Sequence, residues 1–248
     1  YDKPRFMDLT FALTAYSEQD ILPDYQNVAS DYAKMLQGKI GFTYKHLQGS
    51  LGAVDDEKGY NIGIHYEARY LDSRYFQRIY AVCDYGLPLP VNHSSLWLRT
   101  AQGWAEGEQS ASFNKFYFGG FGNNWVDYQN EKRYREYYSF PGAELNELAG
   151  LTFQKSMVEL NLPPLRFRQA GFPVIYLRWL RPAIFASLLT ADPLDPDVRD
   201  FHYNTGIQID FEIILLAQIK SIFSLGYALY FSPDNQEYRE YMISIKLL

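Results

Sequence analysis

The chain has 248 residues and a net charge of −6; 17 % of its residues are aromatic, with 22 Tyr and 17 Phe, and 21 % are charged. The acidic balance leaves no basic stripe to neutralise phosphates, which excludes a nucleic-acid partner, and one cysteine, Cys83, excludes an internal disulfide or a cysteine zinc site and reads as a small apolar packing residue. The longest uncharged runs, Tyr85–Leu98 and Pro182–Ala191, are too short or too proline-rich for a spanning helix of about 20 apolar residues.

So much Tyr beside so much charge suits a protein with one apolar and one polar surface, with aromatic rings at the boundary between oil and water. The chain opens at Tyr1 with no signal-peptide pattern, as a processed or partial product would. Residues 1–36 supply a strand in Arg5–Tyr16 and then a polar connection, Ser17–Leu36, with Pro23 and a short helix as one reading of Val28–Leu36.

From Gly38 the pattern sharpens. Ile40, Phe42, Tyr44 and His46 alternate with Lys39, Gly41, Thr43 and Lys45, the period of a strand between two different environments. Gly49–Lys58, with Asp55, Asp56 and Glu57, reads as a solvated hairpin loop. Tyr60, Ile62, Ile64, Tyr66, Ala68 and Tyr70 then oppose Asn61, Gly63, His65, Glu67 and Arg69 over about the 9–11 residues that cross a bilayer as a tilted strand. After Leu71–Ser73, Arg74–Tyr85 returns, Gly86–Ser94 loops, and Ser95–Trp104 and Ser112–Gly119 form the next pair around Ala105–Ala111.

Gly119–Gly150 is far longer than the usual connection of about 4–6 residues. It carries Trp125, Tyr128, Tyr134, Tyr137 and Tyr138 among charges, so it is expected to fold over or into a barrel mouth, with Gly119 and Gly120 giving a permissive backbone where the strand bends. Arg133, Arg135 and Tyr137 are its candidate contact residues, and Lys132-Arg133-Tyr134-Arg135 reads as a solvated charge run.

Beyond it, Leu151–Leu162 and Pro173–Thr190 are strand-like, with a turn at Pro163-Pro164 and Gly171 between them, and Asp192–Phe201 is a solvated loop. Thr205–Ala217 shows the clearest alternation. Ile207, Ile209, Phe211 and Ile213 are expected to face lipid, and Gln208, Asp210 and Glu212 the lumen. Two further alternating strands follow a turn at Gln218–Ser221. The whole predicts one all-β domain over 1–248, an antiparallel transmembrane β-barrel of twelve strands with ten as the alternative count. Short turns at 71–73, 105–111 and 218–221 and longer loops at 49–58, 120–149 and 191–202 match the two unequal ends of such barrels.

Phe116-Tyr117-Phe118-Gly119-Gly120-Phe121-Gly122, followed by Phe140-Pro141-Gly142, resembles the strand and inward loop of the bacterial surface-antigen (D15, Omp85-like) outer-membrane barrels. The versions that follow a TolB-like β-propeller are similar over Lys115–Phe185, including Leu160–Phe167 and Arg181-Pro182-Ala183. The resemblance implies a bacterial outer-membrane location, contact with its lipids, and either an upstream propeller or envelope-complex subunits as partners. Where the family's loop has an Arg-Gly-aromatic tip, this chain reads Asn124-Trp125-Val126-Asp127-Tyr128. The Asp-x-Gly pattern of a following strand is absent from Pro173–Ser187, and the last residues, Lys246-Leu247-Leu248, lack an aromatic end. A structural anchor or scaffold is therefore the first expected function, an Omp85-class translocation or insertion pore the second, and a soluble β-sandwich that binds a ligand the third.

No catalytic residue, cofactor or metal is expected. His46, His65, His93 and His202 are scattered without paired spacing for zinc. His93-Ser94-Ser95 has the residue types of a hydrolase but shows no oriented base. Asp210, Glu212, Glu67 and Glu159 read as lumen charges paired with Arg69, Arg78, Arg99 or Arg178, and Gly119–Gly122 is followed by no GK[ST] of a phosphate loop.

Overall fold

The computed structural model describes residues 5–17, 34–71, 74–107, 112–123, 131–172, 174–216, 218–234 and 236–247. Their backbone is all-β, and no helix is long and apolar enough to cross a membrane. The strands are β1 (Phe6–Ser17), β2 (Lys34–Gln48), β3 (Lys58–Leu71), β4 (Arg74–Pro88), β5 (Ser95–Ala105), β6 (Phe116–Phe118), β7 (Leu148–Gly150), β8 (Thr152–Asn161), β9 (Leu165–Phe172), β10 (Ile175–Ala191), β11 (Asp200–Leu215), β12 (Ile219–Phe231) and β13 (Glu237–Leu247).

Eleven of them form one antiparallel sheet in the order β1-β2-β3-β4-β5-β8-β10-β11-β12-β13, with β9 also paired to β10. Among the described residues β1 pairs only with β2 and β13 only with β12, so the sheet is open along both edges. The predicted strand Ser112–Gly119 does not join this sheet. Its first residues make a 3-10 turn and its last make β6, which pairs with β7 in a separate two-stranded ribbon, while β5 pairs directly with β8. The predicted turn after Pro163-Pro164 is instead strand β9, which occupies the edge of β10 beyond the end of β8. The helix considered for Val28–Leu36 falls mostly outside the described residues, and its last three, Lys34, Met35 and Leu36, open β2.

The period-2 patterning becomes two faces. On β11, His202, Asn204, Gln208, Asp210 and Glu212 are buried while Phe201, Tyr203 and Ile207 are exposed on the other side. The edge strands keep the alternation: Met7, Leu9, Phe11 and Leu13 of β1, and Tyr241, Ile243, Ile245 and Leu247 of β13, are exposed apolar residues on one face. Val174–Leu180, nearly continuous in apolar character, leads into a β10 whose Ala183, Phe185, Ser187 and Leu189 are buried between exposed Ile184 and Leu188. Cys83 lies exposed on the apolar face rather than packed inside.

The expected sorting of connections by length does not hold. The two-residue connection between β3 and β4 falls at the same end of the sheet as the 119–150 loop and the β10–β11 connection, because Leu71 lies opposite Arg74, Arg78 opposite Ala105, and Gly103 and Ala191 both lie opposite Phe153.

Candidate functional site

The segment 116–150 crosses the inner face of the sheet. Its Tyr137 stacks on Tyr80 of β4 with ring centroids 4.4 Å apart, Phe116 meets Phe153 of β8 at 4.8 Å, and Tyr134 stacks on Phe185 of β10 at 4.2 Å. Gln208 of β11 donates to the Glu131 carbonyl at 3.0 Å, Phe140 packs edge-on against Tyr230 of β12, and the Phe121 N–H reaches Glu240 of β13 at 2.9 Å. One segment touches six strands, so the sheet curls around it.

Burial of aromatic rings holds the segment in place. Phe116, Phe118, Phe121, Tyr134 and Phe140 are each at most 3 % exposed and form two clusters with Phe153, Leu189, Met157, Ala183 and Met242. At about 1.5–3 kcal/mol per buried large apolar side chain, the five contribute on the order of 10 kcal/mol before the cost of ordering the chain. Neither Gly119 nor Gly120 has positive φ, so close approach and not backbone angle favours glycine there, against backbone at Gly119 and against the movable end of the Glu240 side chain at Gly120. A Cβ at Gly119 would lie 2.3 Å from the Glu144 carbonyl oxygen, and one at Gly120 would lie 2.3 Å from the Glu240 carboxylate.

The run Lys132–Arg135 is not solvated. Lys132 is 5 % exposed and donates to Asn161 Oδ1 at 2.5 Å, and Tyr134 is fully buried. Arg135 lies 2.7 Å from Asp55 of the β2–β3 connection and makes two-pronged contact with Glu159 of β8, which Arg99 also meets at 2.7 Å. Arg181 of β10, 2 % exposed, lies 3.3 Å from the same Asp55. Burial pushes the Asp55 carboxyl upward, but Arg135, Lys132 and Arg181 outweigh it and hold the group well below the usual carboxylate range. Burial pushes the Lys132 ammonium down to about 8 and the Tyr134 hydroxyl far up.

Inner-face charges pair across strands as well. Glu67 meets Arg78 at 2.6 Å, Arg69 at 3.0 Å and Lys39 at 3.3 Å; Arg99 meets Asp84 at 3.1 Å; and Arg178 meets Glu212 at 2.7 Å. Among the described residues Asp210 meets no arginine, and accepts instead from Gln208 at 2.6 Å and Ser224 at 2.7 Å. The alternation in sequence placed these groups on one face; their particular partners depend on register, which no local signal carries.

Among the other anticipated residues, Gln208, Asp210 and Glu212 are buried on the inner face, Ile207 is 37 % exposed on the outer face, and Ile209, Phe211 and Ile213 are half-buried on that same outer face. Arg133 sits half-buried in the 3-10 turn Arg133–Arg135. Trp125 and Tyr128 lie outside the described residues. In the sequence Asp55 and Lys132 read only as solvated charges, Arg181 only as part of the family resemblance, and Glu240 carries no signal, because each gains its role only across the curled sheet.

The Ser and His side chains near residue 93 do not form a nucleophile pair. Ser94 donates to the Val91 carbonyl, while Ser50 Oγ and Glu57 Oε1 both contact the same atom, His93 Nδ1, at 3.1 and 2.9 Å. A base that relays a proton needs its two ring nitrogens on different partners. Beside the inward segment, a cavity of about 670 Å³ opens between it and the walls, lined by Tyr80, Arg99, Lys155 and Arg181 among others.

No protein-family model, no curated protein and no solved structure matches the chain.

Proposed function

We propose that this chain is an outer-membrane β-barrel domain plugged by its own 116–150 segment, serving as a structural anchor or scaffold in the bacterial envelope. The observation that carries this reading is the inversion of its surfaces: charged and amide side chains are buried on the inner face, and Leu, Ile, Phe and Tyr are exposed along the outer face of strand after strand. Exposed apolar area of that extent in water marks an interaction surface or an aggregation hazard, whereas hydrocarbon requires it. Backbone groups along a strand edge have no partner in lipid, so closure of the barrel between the edges of β1 and β13, directly or through further strands, belongs to the same proposal. Its contacts would be membrane lipids, with an upstream propeller domain or envelope-complex subunits as protein partners.

A second reading, a translocation or insertion pore similar to the Omp85 class, is favoured by the cavity beside the plug. The soluble sandwich has less support, because no second sheet covers the apolar face among the described residues. The deciding experiment is refolding with and without detergent, followed by conductance in planar bilayers. The anchor reading expects refolding only with detergent or lipid and a sealed lumen. Steady ion conductance that rises on deletion of 123–138 moves the assignment to a pore, and a monodisperse fold in plain buffer removes the membrane altogether.

A further inference from the structure

The inward segment enters at Gly119–Phe121 and leaves at Phe140–Gly142, and one side chain holds both passages. Glu240 of β13 accepts from the Phe121 N–H at 2.9 Å through one oxygen and 3.1 Å through the other, and from the Gly142 N–H at 2.8 Å. The surroundings are shaped to that carboxylate. A Cβ at Gly120 would push the carboxylate aside, and Gly142, at φ +100°, lies so close to Tyr230 that an added Cβ would be 2.6 Å from that residue's own Cβ. Asn123 closes the same passage from the other side, donating to the Tyr138 carbonyl at 3.0 Å and accepting from the Asn146 N–H at 2.9 Å. The two stems are thus tied together and held to the last strand by the Glu240 carboxylate, with the Glu131–Lys246 ion pair at 2.9 Å as a second link further along it, and among the described residues that strand pairs only with β12.

We infer that Glu240 is a latch that couples the seating of the plug to the position of β13, so that displacement of this edge strand loosens the plug and loosening of the plug frees the strand. The inference rests on the reading of 116–150 as a plug, and it needs no catalytic or ligand role for Glu240. Coupling of this kind is reciprocal by linkage, which supplies a test that a merely local contact would fail.

The experiment is hydrogen–deuterium exchange of the full chain refolded in detergent micelles. In Glu240→Ala, the amides of Phe121 and Gly142 should exchange about tenfold faster or more, because hydrogen bonds to a charged acceptor are among the stronger ones, and the increase should spread to 131–139. Glu240→Gln, which keeps one acceptor oxygen, should fall between. In the reverse direction, Phe121→Ala should speed exchange along 237–242 of β13. Tyr241→Ala, an outward-facing change on the same strand, should leave the plug as it was. Unchanged exchange at Phe121 and Gly142 would overturn the latch. Faster exchange confined to those two amides, or a one-way effect, would overturn the coupling. If Glu240→Ala does not refold, Gly120→Ala displaces the carboxylate from the plug side and is read the same way. Detergent dependence of refolding is scored separately: coupled exchange in a protein that folds in plain buffer keeps the latch and removes the membrane reading.

Discussion

The guanidinium of Arg135 lies 2.7 Å from the carboxylate of Asp55, a residue 80 positions earlier in the chain, and the pair joins the tip of the β2–β3 connection to the middle of the inward segment. Asp55 also faces Arg181 from β10, so a single hairpin loop reaches across the interior of the curled sheet. The pair belongs to a buried network in which Glu159 is the shared anion.

Removal of that shared anion should hurt more than removal of one cation. Glu159→Ala leaves Arg99, Arg135 and Lys132 with only Asp84 and Asp55 to balance them, and breaking a buried pair in this way costs about 3–5 kcal/mol. Arg135→Ala leaves Glu159 with Arg99 and Lys132, so its loss should be smaller. Urea or guanidinium unfolding of the two variants checks the order; equal losses would mean that the network contributes through packing alone.

The outer face discriminates between water and lipid. Ile243 on β13 is 74 % exposed. In a bilayer, an arginine near the midplane on the lipid face costs about 2–4 kcal/mol, whereas an exposed position in water tolerates the change within about 0.5 kcal/mol. Ile243→Arg should therefore reduce the fraction folded in lipid vesicles. Undiminished folding would argue for a solvated face.

Acid should release the plug only late. Asp55 is held below its ordinary value of 3.8 in the folded protein, so its contribution is fully present above that unfolded value and is lost as pH falls through the lower folded one. In a Glu240→Gln background, where the latch carries no titrating carboxyl, protease cleavage after Lys132 should be as fast at pH 4.5 as at pH 7, once enzyme activity at each pH is allowed for, and should quicken only below about 3.8. Release between pH 7 and pH 5 would show that Asp55 is not the controlling carboxylate.

Two glycines of the inward segment should respond differently to alanine. Gly142 has φ +100° and no space toward Tyr230, while a Cβ on Gly122 would come no nearer than 3.6 Å to Leu145. Gly142→Ala should destabilise by more than about 1 kcal/mol, and Gly122→Ala should be near neutral. Thermal or denaturant midpoints of the two variants decide it.

The strands with strict alternation were legible from the sequence, β3 and β11 most of all, since a half-buried strand needs no information beyond its own period. Ser112–Gly119 has the same aromatic character yet leaves the main sheet, because Phe116 and Phe118 bury their rings against Phe153 from inside the curl. Local pattern cannot separate an aromatic strand in a sheet from one packed against it. β9 was hidden by Pro163-Pro164 and Gly171: the prolines stop just short of its first residue, Leu165, and Gly171 lies within it opposite Tyr176. Lys132 looked solvated for a similar reason: its neighbours arrive from elsewhere in the chain, Asn161 and Glu159 from β8 and Asp55 from the β2–β3 connection.

The direct pairing of β5 with β8 sets an order of assembly. Ser95 stands opposite Asn161 and Trp104 opposite Thr152, with the whole inward segment strung between the two strands. Hairpins such as β3–β4 and β11–β12 close over short connections and can form early, but the β5–β8 seam must wait for a long loop to close, which is slow and entropically costly. A segment lined with buried phenylalanines is poorly suited to be threaded into a finished, curled sheet. It is better suited to act as the form around which the two halves of the sheet are wrapped.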